Sequence, residues 1–143
     1  MQYIPAASKL RKHDKLGLMN PERLVLISIS SIVLVGLVGI PFGDPRFIPI
    51  AVFFELVFIG LAILVFKGYT RPLYICIALA SLIIIGNSIT TAHIHRMMTF
   101  VKPVNTIVLI IGGYVLQTLL IYASVIAIMD KRRRRTLTAS SRY

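Results

Sequence analysis

The chain has 143 residues, of which 57% are hydrophobic, and a formal net charge of +11. Its mean hydropathy of +0.83 describes more apolar surface than one small soluble core can bury, which excludes an ordinary soluble domain. The basic residues lie beside apolar runs instead of forming a folded face with interleaved aromatics, so we expect a membrane protein that binds no nucleic acid.

Four apolar runs follow one another along the chain, at residues 24–40, 47–66, 73–92 and 104–129. Each is close to the roughly 20 residues that an α-helix needs to cross hydrocarbon. The polar breaks are short and do not give the alternating strands of a membrane barrel. Short connections also make neighbouring helices antiparallel. The sequence predicts an all-α, integral membrane four-helix up-and-down bundle at 24–129, between basic segments at 1–23 and 130–143.

The distribution of Lys and Arg predicts how the bundle is oriented. The segments before the first run, between the second and third runs, and after the fourth hold every basic residue except Arg46, Arg96 and Lys102. Cytoplasmic segments carry the excess of Lys and Arg in membrane proteins. We therefore expect a multi-pass protein of the plasma membrane with both termini cytoplasmic.

A run of basic residues follows Asp130 directly: Lys131, Arg132, Arg133, Arg134 and Arg135. We expect this run to end the fourth helix. It should attract anionic lipid headgroups at about 1 kcal/mol per basic residue near the surface. Binding of a protein partner by the same charges is the alternative.

Small and polar residues form stripes on two of the predicted helices. The first helix carries Ser28, Ser31, Gly36 and Gly39 within an arc of about 140°, a pattern that lets helix backbones approach closely. The fourth helix carries two polar strips, made of Gly113, Gln117 and Ser124 and of Tyr114, Thr118 and Tyr122. Two strips on one helix suggest two neighbours, so we expect other integral membrane subunits in a hetero-oligomer.

Glu55 is the one acidic residue inside an apolar run, about 12 Å from the outer end of the second helix at ~1.5 Å per residue. An ionised carboxylate there costs on the order of 3 kcal/mol, so we expect a bound proton, a polar partner or both. Asn87 and Gln117 are the internal candidates for that partner. A proton or cation relay is the functional interpretation. A buried hydrogen bond that locks helix packing is the structural one, and it is favoured because the runs hold no second acid or base.

The segment HIHRMM offers four potential metal ligands: His93, His95, Met97 and Met98. Residues two apart on a helix point in nearly opposite directions, so both imidazoles reach one ion only if the helix has ended before them. An extended His-Ile-His with thioether sulfur nearby suits copper. Arg96 argues against this site, because a fixed positive charge repels a cation.

If the third helix instead continues, Asn87, Thr91 and His95 form one polar stripe at four-residue spacing, and His95 is a packing residue. The sequence contains no zinc-protease motif, phosphate loop or nucleophile beside a credible base. We therefore expect no catalytic residue in this chain.

The size, the number of spans and the HIHRMM segment resemble the small helical accessory subunits of archaeal copper membrane monooxygenases of the ammonia-oxidising type. The resemblance implies a scaffolding role, with the copper chemistry carried by larger subunits. An accessory subunit of a respiratory oxidase has the same general features. The sequence thus favours a non-catalytic accessory subunit of a membrane complex. Two alternatives remain: a small proton or cation transporter or channel subunit that uses Glu55, and an extracytoplasmic copper-binding membrane protein.

Overall fold

The computed structural model describes residues 20–42, 45–91, 94, 95, 98 and 103–140, and within them it contains helices and no strand. Helix α1 is Pro21–Gly39 and continues as a 3₁₀ turn, Ile40–Phe42; helix α2 is Ile48–Phe66 and helix α3 is Arg71–Ile89. The fourth span consists of helix α4, Pro103–Ile110, a π-helical turn, Ile111–Val115, and helix α5, Leu116–Ser140. Four helices in the described ranges are therefore long and apolar enough to cross a membrane. This confirms the predicted all-α, multi-pass class.

The starts of the helices follow from local sequence. Each span has a proline in its first turn: Pro21, Pro49, Pro72 and Pro103. Proline suits this place because the first backbone N–H groups of a helix have no intrahelical acceptor. Asn20 caps α1, since its Oδ1 accepts a hydrogen bond from the Glu22 backbone N–H at 3.2 Å.

A tight turn joins α2 to α3. The backbone N–H of Tyr69 donates to the Leu64 carbonyl at 3.3 Å, and that of Gly68 donates to the Val65 carbonyl at 2.9 Å. Gly68 has a φ of +81°, a left-handed conformation that glycine adopts without a steric penalty. The turn therefore fixes α2 and α3 side by side at this end.

The prediction that the basic run ends the fourth helix is wrong, because α5 continues to Ser140. The Arg134 side chain forms an ion pair with Asp130 one turn earlier, at 2.8 Å. The hydroxyls of Thr136 and Thr138 donate to backbone carbonyls of the preceding turn. These local contacts accompany a helical extension whose side chains from Arg132 to Thr138 are exposed.

The spans pack around a shared apolar core. Fully buried members come from each span: Val25, Ile29, Phe58, Leu73, Cys76, Ala80, Leu120 and Ala123. The fourth span packs closely against α1 and α3, and α1 packs closely against α2. Helices α2 and α3 touch each other much less than these pairs do. The bundle is thus tight around α1 and the fourth span and looser between α2 and α3.

Lys131 joins three elements at the end of the bundle that holds Glu22 and the α2–α3 turn, here called the terminal end. Its ammonium group lies 2.8 Å from the Glu22 carboxylate and donates to the Gly68 carbonyl at 2.9 Å. Arg132 donates to the Tyr74 hydroxyl at 3.1 Å. The opposite end, which carries the 3₁₀ turn and the start of α2, is called the distal end.

The small-residue stripe of α1 packs inside this chain. Ser28 is fully buried and donates to the Leu24 carbonyl at 2.9 Å. A side chain at Gly39 would collide with Val108 of α4, and one at Gly36 would collide with the Glu55 carboxylate of α2. The stripe thus lets α1 approach α2 and α4 closely, as small residues do between packed helices.

Candidate intramembrane site

A cavity of about 470 Å³ lies between the distal halves of the four spans. Its wall is mostly apolar and includes Phe47, Phe54 and Phe58. Five polar side chains also line it: Glu55, Asn87, Thr90, Asn105 and Gln117. Sites for small molecules are mostly apolar concavities of ~300–1,000 Å³ with a few polar groups, and the cavity matches that description.

Glu55 lies about 10 Å from the distal start of α2, at ~1.5 Å per residue. Only 9% of its surface is exposed. Its carboxylate packs against Gly36, and a methyl group added at position 36 would overlap it, so the carboxylate would have to move. The Oε2 atom is buried without a hydrogen-bond partner among the described residues. Gly36 was assigned to a helix interface by the sequence, and its contact with Glu55 is new.

The two amides expected to pair with Glu55 bond instead to the π-helical turn. The Gln117 amide donates to the Gly112 carbonyl at 3.1 Å. The Asn87 amide donates to the Gly113 carbonyl at 3.5 Å. A π-helical turn interrupts the regular bonding of an α-helix and is frequent at functional sites. No hydrogen bond within the described ranges joins either amide to Glu55, so the expected pairing is not found, although all three side chains line one cavity.

Three of the residues that line the cavity each have a polar atom that is buried without a hydrogen-bond partner in the described part of the chain: Glu55 Oε2, Gln117 Oε1 and Asn105 Nδ2. Asn105 is the residue that the sequence analysis missed. A polar amide two positions after Pro103, at the start of an apolar run, was the available signal. Buried polar atoms are nearly always paired in proteins, so three unpaired ones in residues around one cavity make it the candidate functional site of the described part of the chain.

The third helix does not continue regularly through Thr91 and His95. Thr90 has an extended backbone, with ψ of 107°, and ends α3. Helical backbone resumes beyond it, and the Ile94 N–H donates to the Thr90 carbonyl at 3.2 Å. Asn87 therefore lies on a different helical segment from Thr91 and His95, so the single polar stripe is not formed.

The proposed copper ligands fall partly outside the residues that the structure describes. His93 and Met97 belong to the segments left undescribed, and the side chains of His95 and Met98 are exposed. Within the described ranges, no group of three or more His, Cys, Asp and Glu side chains could hold a metal ion. The copper site stays a prediction from sequence.

The five basic residues after Asp130 divide into two groups. Lys131, Arg132 and Arg134 make the intramolecular contacts given above. Arg133 and Arg135 lie on the helical extension with exposed side chains. Binding of anionic lipid stays a prediction, and these two arginines are the residues best placed for it.

No family model, curated protein or solved structure matched the chain in the three comparisons made. Functional inference therefore depends on the site itself. A buried carboxylate oxygen and a buried amide oxygen can together accept hydrogen bonds from a bound proton carrier, a hydrated cation or a cationic group.

Proposed function

We propose that this chain is a small membrane transporter or channel subunit in which Glu55 binds the transported proton or cation. The observation that supports this proposal is Glu55, whose side chain lines a cavity between apolar helices and whose Oε2 atom has no partner in the described part of the chain. A purely structural carboxylate would be expected to have its hydrogen bonds satisfied by the surrounding chain.

The cost of burying this group is the physical reason for a functional role. An acidic residue inside a membrane span costs on the order of 3 kcal/mol at the helix centre, and such residues commonly mark ion or substrate pathways. The sequence offers no second intramembrane acid for a relay, but the cavity itself gives Glu55 a route to the surface of the bundle. A single carboxylate beside the cavity is sufficient to bind a proton or cation and to release it again.

The orientation of the protein is part of the proposal. The Lys and Arg distribution favours a plasma membrane protein with the terminal end cytoplasmic. The distal end, with the cavity, then belongs to the outer half of the membrane. A proton or cation that enters or leaves through the cavity would therefore exchange with the extracytoplasmic side.

Transport can be tested with purified protein in liposomes that contain a pH-sensitive dye. We expect proton or monovalent cation flux with the wild-type chain and its loss with E55Q, which removes the charge with little change of shape. The matched control is E22Q, which removes an acid of the same type at the terminal end. Equal flux through the wild type and E55Q would refute the proposal.

A non-catalytic accessory subunit of a membrane complex is the second candidate. The observation that favours it is a polar strip on the outside of the bundle. The Ser88 and Tyr114 hydroxyls lie 3.3 Å apart at an exposed position, Thr118 is exposed, and Tyr122 is 61% exposed. Polar side chains on a lipid-facing surface are well suited to hydrogen-bond a neighbouring helix.

Gentle detergent extraction from the native membrane, followed by mass spectrometry of co-migrating chains, tests the accessory role. We expect different membrane subunits to co-migrate and T118V/Y122F to weaken their association. The resemblance to accessory subunits makes copper monooxygenases and respiratory oxidases the complexes to look for. A chain that migrates alone as a monomer would refute this candidate without affecting the Glu55 flux measurement.

A further inference from the structure

We infer that the ligand of the cavity is an organic ammonium compound, a protonated amine attached to an apolar body, which Glu55 and Gln117 bind by its N–H groups. This inference rests on the proposed function and names the substrate class of the same site. Its basis is the combination of unpaired acceptors, apolar walls and an opening toward the membrane.

Glu55 and Gln117 both line the cavity, and each has a hydrogen-bond acceptor without a partner among the described residues. Glu55 is 9% exposed and Gln117 is 2% exposed, and the Oε2 atom of the first and the Oε1 atom of the second are buried without partners. The orientation of the Gln117 amide follows from its Nε2 atom, which donates to the Gly112 carbonyl. Both oxygens are closed to solvent, so the two side chains must turn toward the cavity to reach a ligand. Two acceptors require a donor group, and a primary ammonium offers three N–H bonds.

Charge makes an ammonium group a better occupant than a neutral donor. A carboxylate in an apolar surrounding is costly unless a positive charge or a proton accompanies it. The described side chains that line the cavity include no Lys, Arg or His. The described part of the chain thus supplies the negative partner of a potential ion pair, and we assign the positive partner to the ligand.

The walls determine the rest of the ligand. The lining includes the rings of Phe47, Phe54 and Phe58 and the aliphatic side chains of Ile83 and Val108. An inorganic cation would contact few of these groups and would leave most of the 470 Å³ unoccupied. An apolar body of several carbon atoms removes this surface from water at about 25 cal/mol per Å².

The cavity reaches the lateral surface of the bundle between α2 and α3. Ile50 of α2 and Leu82 of α3 line it and are 54% and 58% exposed. Gly86 also lines the cavity and is exposed, and a methyl group added to it would meet no neighbouring atom within 4 Å. Because α2 and α3 touch each other so little, a molecule dissolved in the bilayer can enter between them.

Binding can be measured with the full-length chain in nanodiscs of neutral phosphatidylcholine, with empty nanodiscs as the control for partitioning. The probes are 4-phenylbutylamine, which is protonated at neutral pH, and 4-phenyl-1-butanol, its neutral counterpart. We expect the wild type and E22Q to bind the amine about tenfold more tightly than the alcohol, as one charge-assisted hydrogen bond allows. E55Q should bind both probes equally, and E55D should retain a preference for the amine.

Two further variants keep the test valid if E55Q does not fold. Gly36→Ala pushes the Glu55 carboxylate from its place and should abolish the preference for the amine, whereas Gly60→Ala, at a site with no atom within 4 Å, should leave it unchanged. Equal binding of amine and alcohol by the wild type, or an unchanged preference in E55Q or Gly36→Ala, would overturn the inference.

The outcomes also separate this inference from the proposed function. Glu55-dependent proton or sodium flux without any amine binding would refute the ligand class and leave transport intact. Glu55-dependent amine binding without flux of protons, cations or the amine would support the ligand class and refute transport.

Discussion

The Glu55 carboxylate is costly to bury in a membrane span, and it lies against Gly36, which has no side chain and so leaves room for it. The sequence revealed both residues, because an acid in an apolar run and a stripe of small residues are visible in a linear pattern. Their contact could not be predicted, since it depends on the relative rotation of α1 and α2. The same holds for Gln117, whose hydrogen-bond partner lies in its own span rather than at Glu55.

Gly36→Ala should destabilise the protein by about 1–3 kcal/mol, because the added methyl group overlaps the Glu55 carboxylate in a packed interface. Gly60→Ala, where the added methyl group meets nothing within 4 Å, should be neutral or stabilising by up to about 1 kcal/mol through helix propensity. Thermal unfolding in a mild detergent, followed by circular dichroism, measures both. A Gly36→Ala variant as stable as Gly60→Ala would contradict this expectation and show that the flexible carboxylate moves aside at little cost.

Replacing Glu55 by leucine should increase stability while it removes function. The substitution eliminates a buried polar atom that lacks a partner in the described part of the chain, whose burial costs about 1–3 kcal/mol, and adds apolar contacts to Phe58 and its neighbours. Such opposition between stability and activity is common at binding sites. A higher unfolding temperature of E55L than of the wild type, together with lost flux, is the expected result. A lower unfolding temperature would indicate that the carboxylate stabilises the fold.

At the scale of the elements, the sequence predicted the four spans well because hydropathy and first-turn prolines are local properties. It did not predict the π-helical turn, which depends on contacts between the third and fourth spans. The two adjacent glycines, Gly112 and Gly113, were its only sign. The sequence also did not predict the helical extension of α5, because a run of like charges suggests repulsion along the helix. The ion pair between Asp130 and Arg134 partly offsets that repulsion.

The close packing of Asn87 on Gly113 can be tested by a double-mutant cycle. Gly113→Ala alone should destabilise the chain by about 1–3 kcal/mol, because its methyl group would collide with the Asn87 amide. Adding N87A removes the collision, so the double variant should be more stable than the sum of the single effects predicts, by about 0.5–2 kcal/mol. Gly86→Ala, which meets no atom within 4 Å, is the control. Strictly additive effects would argue against the contact.

Lys131 links α5, α1 and the α2–α3 turn, and its side chain is only 18% exposed. K131M should destabilise the protein by about 0.5–1.5 kcal/mol, a modest amount because Glu22 is partly solvated. R133M removes one charge from the exposed extension and should change stability little. Equal unfolding temperatures of the two variants would show that the terminal end does not depend on Lys131.

At the scale of the whole molecule, the predicted direction of insertion can be tested with cysteine labelling. The native Cys76 is fully buried and should react little with thiol reagents. We expect F42C, at the distal end, to react with a membrane-impermeant maleimide in intact cells. T136C, on the α5 extension, should react only after permeabilisation. The reverse pattern would place the distal end in the cytoplasm and contradict the distribution of Lys and Arg.

The unequal packing of α2 and α3 has a mechanical consequence. Their short turn and Lys131 hold these helices together at one end, while the space beside Glu55 separates them toward the other. If the crossing angle of α2 and α3 changes, the displacement of the helices is therefore smallest at the turn that joins them and increases along their length. The distance between the distal ends of α2 and α3 would then depend on whether the cavity beside Glu55 is occupied.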